Sequence, residues 1–401
     1  MVKRALPMAV LLAVTAAVAA CQIIAGVRDK TLDPGEAVVD AGAEVGDDHV
    51  VPDAAEDPSD KDAADATSEQ AGPNYDRKPP SRPAGDAGPS DAGKTITLAA
   101  RSFYLGAIDP DTDETTWEAW RKLGYDLDGR CTTADESLND LSGVCHKPPG
   151  ANQYAHEDGF ECRDNVVGHE LAGALKLLAI DYERALQAQY RSGDLATLVL
   201  QLLDLDDGPD DPYVPARIYI TAPFGSAPLW DGSDRPVIDS SSVLDGGLDD
   251  PKYTVTGYVK DDIWVSGDYP GSPMTVPLMA FDRVMEVPAK SVLMTVRLDP
   301  DHKRSMRSVF AMVLGGPEMI PVMMPALLEV VECNQAAAQA LFTQYFSVNR
   351  DLSSTSPDFV NPSAECDSAA FGVMVDWRPV RAPDTVQDIP PKPYPCDAGA
   401  D

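Results

Sequence analysis

The stretch TLVLQLLDLDDGPDDPYVPARIYI, residues 197–220, decides the class of fold. From Thr197 to Leu205 it is apolar on both faces, as a strand buried between layers must be. Asp206 to Pro212 is rich in Asp, Gly and Pro, each a turn former. Beyond it Val214, Ala216, Ile218 and Ile220 alternate with Arg217 and Tyr219, the period of two that marks a strand. The segment therefore predicts an antiparallel hairpin. Asp204, Asp206, Asp207, Asp210 and Asp211 crowd its turn, where solvated charge discourages edge pairing.

Outward from the hairpin, further strands are expected at Tyr253–Val259, Asp262–Val265, Ser291–Leu298, Met306–Leu314 and Phe371–Arg378. Val292, Met294, Val296 and Leu298 mark one face of the third of these. Upstream, a helix is expected over Val166 to Tyr190. Its apolar positions Val167, Leu171, Ala174, Leu175, Leu178, Tyr182 and Leu186 recur at three- and four-residue steps, and Ser192-Gly193 ends it. A shorter helix capped by Thr116 would place Trp117, Trp120 and Leu123 on one face. A helical pair around Met319 to Tyr345 separates the last two strands. No strand–helix–strand alternation is visible. The expectation is an α+β fold: a mainly antiparallel, jelly-roll-like β-sandwich with an N-terminal helical segment and a helical insertion.

The chain's beginning carries an address. Lys3 and Arg4 precede an uncharged apolar run, Ala5 to Ala17, and then Val18-Ala19-Ala20-Cys21. This reads as a lipoprotein signal peptide over residues 1–20, cut before a Cys21 that carries the lipid. Durable anchoring needs at least two acyl chains such as palmitate. Gln22 is not the aspartate that favours inner-membrane retention, so the bacterial outer membrane is the expected location. Residues 21–94 form a lipid-anchored N-terminus and an acidic Pro/Ala/Gly-rich tether. Tyr75 is the only aromatic between Thr31 and Gly93, and such a composition reads as disordered. The prolines at 79, 80, 83 and 89 stiffen its far end. Residues 95–397 are the globular ectodomain. The chain has 32 Lys and Arg against 65 Asp and Glu, a net charge of −33. That balance repels phosphate backbones and anionic headgroups, excluding nucleic-acid binding and flat membrane docking. Met319 to Val331, the most apolar later run, is too short to span a bilayer and contains Pro321 and Pro325.

Seven cysteines less Cys21 leave Cys131, Cys145, Cys162, Cys333, Cys366 and Cys396. An even number in an exported chain suggests three disulfides. Short loops favour Cys131–Cys145 and Cys333–Cys366, which leaves Cys162 to reach Cys396. No C-x-x-C spacing supports zinc instead.

Asp126 and Asp128 in Tyr125-Asp126-Leu127-Asp128-Gly129, with Asp158-Gly159 and Asp164-Asn165, offer oxygen ligands for a structural calcium ion. Asp126, Asp128, Asp158, Asp164 and Asn165 are its candidate ligands. The alternating acids from Asp109 to Glu114 read as charge set against the dipole of the helix that follows. Trp230, Tyr258, Trp264 and Tyr269 are candidates for a glycan-stacking groove. His169-Glu170 opens like a zinc-protease helix, but residue 173 is Gly, so the second histidine is missing. His49 lies in the tether, and His146 and His156 read as solvated loop residues. No G-x-S-x-G elbow is present, and Gly315-Gly316-Pro317 reads as a strand end leading into a helix.

Tyr104-Leu105-Gly106, Trp120 to Gly129 (WRKLGYDLDG), Cys162 to Gly168 (CRDNVVG) and Cys366-Asp367 before Phe371-Gly372-Val373 occur in a fixed order. Together they resemble a set of uncharacterised, paralogous lipoproteins of myxobacteria, over most of residues 100 to 397. The chain departs from that pattern at Glu161-Cys162-Arg163, where Gly-containing acidic turns are common, which weakens the calcium reading. The resemblance implies class and address and carries no activity. The expected function is a non-catalytic binding or envelope-scaffold ectodomain, with a glycan or an envelope protein as partner. The alternative is a carboxylate-based extracytoplasmic hydrolase, for example a glycoside hydrolase. A binding module should display exposed aromatics in a groove, and an enzyme should display buried, converging acids of raised pKa.

Overall fold

The computed structural model describes residues 77–85, 88, 93–133, 144–147, 156–178, 182–280, 283–331, 333–347, 349–390 and 396. Of the two units into which the chain divides, Met1–Ala63 and Ala64–Asp401, all of these lie in the second. The signal peptide, Cys21 and the tether as far as residue 76 lie outside the described residues.

Nine principal strands carry the architecture: β1 Lys94–Tyr104, β2 Leu198–Leu205, β3 Asp211–Ile220, β4 Tyr253–Lys260, β5 Ile263–Val265, β6 Ser272–Ala280, β7 Arg283–Leu298, β8 Ser305–Gly315 and β9 Ser368–Pro379. The hairpin at residues 197–220 forms as β2–β3, with Leu198 opposite Ile220 and Leu202 opposite Ala216. Every ladder among the nine is antiparallel, and the sheet order is β8-β9-β1-β2-β3-β4-β5-β7-β6.

A sandwich does not form, because β7 is paired along both sides. Thr295 faces Val265 of β5 on one side and Val309 of β8 on the other. The sheet therefore closes into an eight-stranded antiparallel barrel, with β6 extending it as a hairpin on the first half of β7. Closure removes the open edges a sandwich would leave.

Period-two alternation then sorts the side chains. Val292, Met294, Val296 and Leu298 point inward as the sequence predicts, and meet Leu98, Ala100, Leu200, Leu202, Ile218, Phe310, Met312 and Val375. A barrel of this size is filled by its side chains rather than hollow. Trp264 and Trp377 are fully buried in it. Their indole N–H groups donate to Val214 O at 3.0 Å and to Ser308 Oγ at 2.9 Å, so burial leaves neither donor orphaned.

The barrel's outer face is covered too. Leu293, Val309, Ala311, Val313 and Met374 pack under Ile108, Leu123, Tyr125 and Leu127, which belong to the irregular segment after β1. Elsewhere Ala99, Val199 and Tyr219 pack with Ile238 and Val380. The long helix expected over Val166 to Tyr190 is two helices, α1 Val166–Leu178 and α2 Tyr182–Ser192. The short helix near Trp117 is one 3-10 turn, Ala119–Lys122. The insertion forms α3 Gly316–Val330 and α4 Gln335–Phe342, and α3 runs through Pro321 and Pro325. No described helix is long and apolar enough to cross a membrane.

All six cysteines are bridged, but as Cys131–Cys162, Cys145–Cys366 and Cys333–Cys396. The three pairings expected from loop length are corrected by backbone geometry. His146 N donates to Ala364 O and Cys366 N to His146 O, both at 2.8 Å, which sets Cys145 beside Cys366. Asp158 N donates to Thr132 O at 2.9 Å, drawing the Cys131 segment toward Cys162. Loop entropy grows only slowly with length, so such contacts outweigh it. Residues 77–85, read from sequence as the stiff end of the tether, lie on the barrel. Tyr258 donates to Pro80 O at 2.6 Å, and Arg82 sits 4.6 Å over the Tyr258 ring.

Candidate functional site

The segment between β1 and α1 has little ladder of its own, so its buried amides need side-chain partners. Acids supply them. Asp164 Oδ2 accepts from Leu127 N at 2.6 Å and Asp128 N at 3.2 Å. Asp126 Oδ1 accepts from Gly129 N at 2.7 Å, and Asp158 Oδ2 from Thr132 N at 2.6 Å. These bonds draw the carboxylates of Asp126, Asp128 and Asp164 together, with one oxygen from each within 4.8 Å of the others. Two oxygens at about 2.4 Å from a calcium ion lie at most about 4.8 Å apart, so that spacing suits a shared cation.

Electrostatically the cluster is unfavourable without one. Burial, followed by the field of Asp126, pushes Asp128 up to about 6. Burial, then the charges of neighbouring acids, pushes Asp158 and Asp164 well above the usual carboxylate range. Asp351 is a further member that sequence reading missed. Burial raises it to about 7, with Lys147 opposing, and its Oδ1 is shielded from solvent without a hydrogen-bond partner. It lies 187 residues beyond Asp164 in the chain, so no local spacing could have flagged it. The guanidinium of Arg77 bonds Asp126.

Asn165, the fifth expected ligand, has backbone partners. Its Oδ1 accepts from Gly372 N at 2.7 Å and Gly168 N at 3.1 Å, and its Nδ2 donates to Trp120 O at 3.1 Å. It clamps α1 to β9 where two glycines meet. A Cβ on Gly372 would lie 2.5 Å from Gly124 N, and Gly124 itself has φ +89°.

The four aromatics do not make a groove. Trp264 is core and Tyr258 is 1% exposed beneath Arg82. Tyr269 donates to Asp126 O, and Trp230 packs with the separate Ile238 cluster. Burial leaves Trp264 and Tyr258 no face on which a sugar could stack, which overturns the glycan assignment for them.

A concavity lies elsewhere, on the outer face of β7, β8, β9 and β1. About 700 Å³ is lined by Arg101, Arg191, Arg297, Arg307 and Arg378, with Asp111, Asp113 and Asp376. Arg191 grips Asp113 with two bonds of 2.9 and 3.0 Å. Arg101, at the bulge in β1, and Arg378 share Asp376. Asp109 and Asp111 both bind Lys122, at 2.7 and 2.8 Å, so these acids are ion-pair partners rather than helix caps. Five arginines against three aspartates give the cavity a positive excess in a strongly negative chain, and its size is that of a small-ligand site.

No protein-family model, no curated protein and no solved structure matches the chain.

Proposed function

We propose that the chain is a lipid-anchored lipoprotein of the bacterial outer membrane, whose disulfide-braced barrel is a non-catalytic binding or envelope-scaffold ectodomain. The observation that carries this reading is the cysteine pairing. The six cysteines after Cys21 are all consumed in disulfides, so the one left over is the cysteine that ends the Val18-Ala19-Ala20-Cys21 lipobox. Three disulfides also suit an oxidising compartment, and the order of motifs shared with the myxobacterial lipoproteins agrees. Binding is assigned to the arginine-lined cavity, whose fork-like donors suit a carboxylate or phosphate on an envelope partner. Calcium held by Asp126, Asp128, Asp158 and Asp164, with Asp351 interacting with them, braces the loops that carry these acids.

Raised acids also favour a second reading, a carboxylate-based hydrolase using Asp128 and Asp351. Neither lines the cavity, and a substrate needs a place to sit, so binding is preferred. Expression of the full chain and of Cys21→Ala in a bacterial host tests the anchor. Intact mass should place acyl groups on Cys21 of the wild type and sediment it with membranes, while the variant stays unacylated. A wild-type polypeptide that is soluble and free of acyl mass overturns the reading.

A further inference from the structure

A second cluster, of different chemistry, lies beside the acidic one. His169 and Glu170 stand near the N-terminal end of α1, and His156 comes from the loop thirteen residues before His169. One ligand atom from each lies within 4.8 Å of the other two. Glu170 Oε1 is 3.8 Å from His156 Nδ1 and 4.0 Å from His169 Nδ1.

From these residues we propose a binding site for a borderline-soft, first-row divalent metal ion of the zinc class, coordinated by His156, His169 and Glu170. Two imidazoles and one carboxylate are a donor set that favours zinc and its neighbours over calcium. The oxygen-only cluster has the opposite preference, so the two sites would not compete for one ion.

Two observations point to a ligand independently of the residue types. His156 is only 7% exposed, contrary to its sequence reading as a solvated loop residue. Within the cluster the Nδ1 of His169, 4.0 Å from Glu170 Oε1, is shielded from solvent and has no hydrogen-bond partner. Leaving a buried nitrogen unsatisfied costs about 1–3 kcal/mol, a cost that a metal bond removes. The Trp120 ring stacks on His169 at 4.4 Å and 30°, fixing the plane of the imidazole.

Tetrahedral zinc with bonds of about 2.0 Å sets its ligands about 3.3 Å apart. The observed spacings therefore require each side chain to close inward by a fraction of an ångström. Glu170 and His169 keep about a third of their side chains exposed, 29% and 38%, which leaves an entry path and room for water as the fourth ligand. The sequence hid the set because a zinc-protease helix places its second histidine four residues on, at Gly173. Here it precedes the helix.

The test uses the full-length protein in detergent, stripped with chelator and held in millimolar calcium. Cobalt(II) is the visible probe and zinc the competitor. One cobalt per chain should bind with the intense visible absorption of a tetrahedral site, and one zinc should bleach it. His169→Ala and Glu170→Gln, both partly exposed and so compatible with folding, should each weaken binding by about 100-fold or more, at least the scale lost when a supporting partner is removed. His146→Ala should leave it unchanged. Failure of the wild type to bind one equivalent, or binding that survives His169→Ala, overturns the proposal.

Discussion

Without calcium, the ectodomain should lose stability as the pH rises from about 4 to about 6.5, the reverse of ordinary acid denaturation. Asp128 provides the magnitude. Its carboxyl moves from the usual 3.8 to about 6 on folding, so the folded chain holds that proton more tightly than the unfolded one. The stabilising difference is complete below pH 3.8 and is lost as pH rises through 6. A span of about two pH units at about 1.4 kcal/mol each gives ~3 kcal/mol. For a domain of roughly 300 residues that lowers the melting midpoint by about 5 °C. Calcium should abolish most of the fall, because the ion keeps the acids charged without mutual repulsion. At about 100 times its dissociation constant a ligand stabilises by ~2.7 kcal/mol, close to the whole loss. Asp128→Asn should flatten the pH profile in chelator and make the protein more stable at neutral pH, while removing the calcium response. Scanning calorimetry across pH, with calcium and with chelator, measures all three. Equal midpoints at the two ends of the pH range in chelator, or a variant as steep as the wild type, would refute the reasoning.

Asn165→Ala should cost about 3 kcal/mol, because Gly168 N and Gly372 N lose their acceptor and Trp120 O its donor. Denaturant titration should find that loss while the calcium-induced shift persists; a lost shift would show Asn165 to be a ligand. Replacing Cys145 and Cys366 together by Ser should destabilise by about 2–5 kcal/mol, since that bridge closes a 221-residue separation, and an unchanged denaturation midpoint would show the closure to be dispensable.

Much of the barrel was legible in the sequence, and the reasons are local. The hairpin at 197–220 and the inward face Val292–Leu298 obey a two-residue period that survives any sheet arrangement. Closure was not legible, because it rests on Thr295 facing β5 and β8 at once, a relation between distant segments. β1 went unread although Ile96, Leu98 and Ala100 alternate, since the run begins directly after the Pro/Gly-rich tether and then bulges between Ala100 and Ser102. In the candidate site, the aspartates at 126, 128 and 164 could be read from their spacing, and three of the five expected ligands do converge. Asp351 and His156 could not be read, because long-range pairing near Cys145–Cys366 and an irregular loop place them. Aromatics misled for a simpler reason: a sheet rich in Gly and Ser can still bury Trp264 completely.

The buried acids have an alternative explanation as plain loop staples, and charge counting decides against its sufficiency. Each of Asp126, Asp158 and Asp164 uses a carboxylate oxygen to hold backbone amides. An asparagine could do that without a charge, as Asn165 does for Gly168 and Gly372. Five aspartates interact here, at 126, 128, 158, 164 and 351, against the nearby cations Arg77, Arg130 and Lys147. Ionised together, the five aspartates would outnumber those three cations by two charges, the charge of one divalent cation. Staples need the hydrogen bonds and not that excess, whereas a calcium ion needs both, and two loops laced by Cys131–Cys162 and Cys145–Cys366 keep its oxygens within reach.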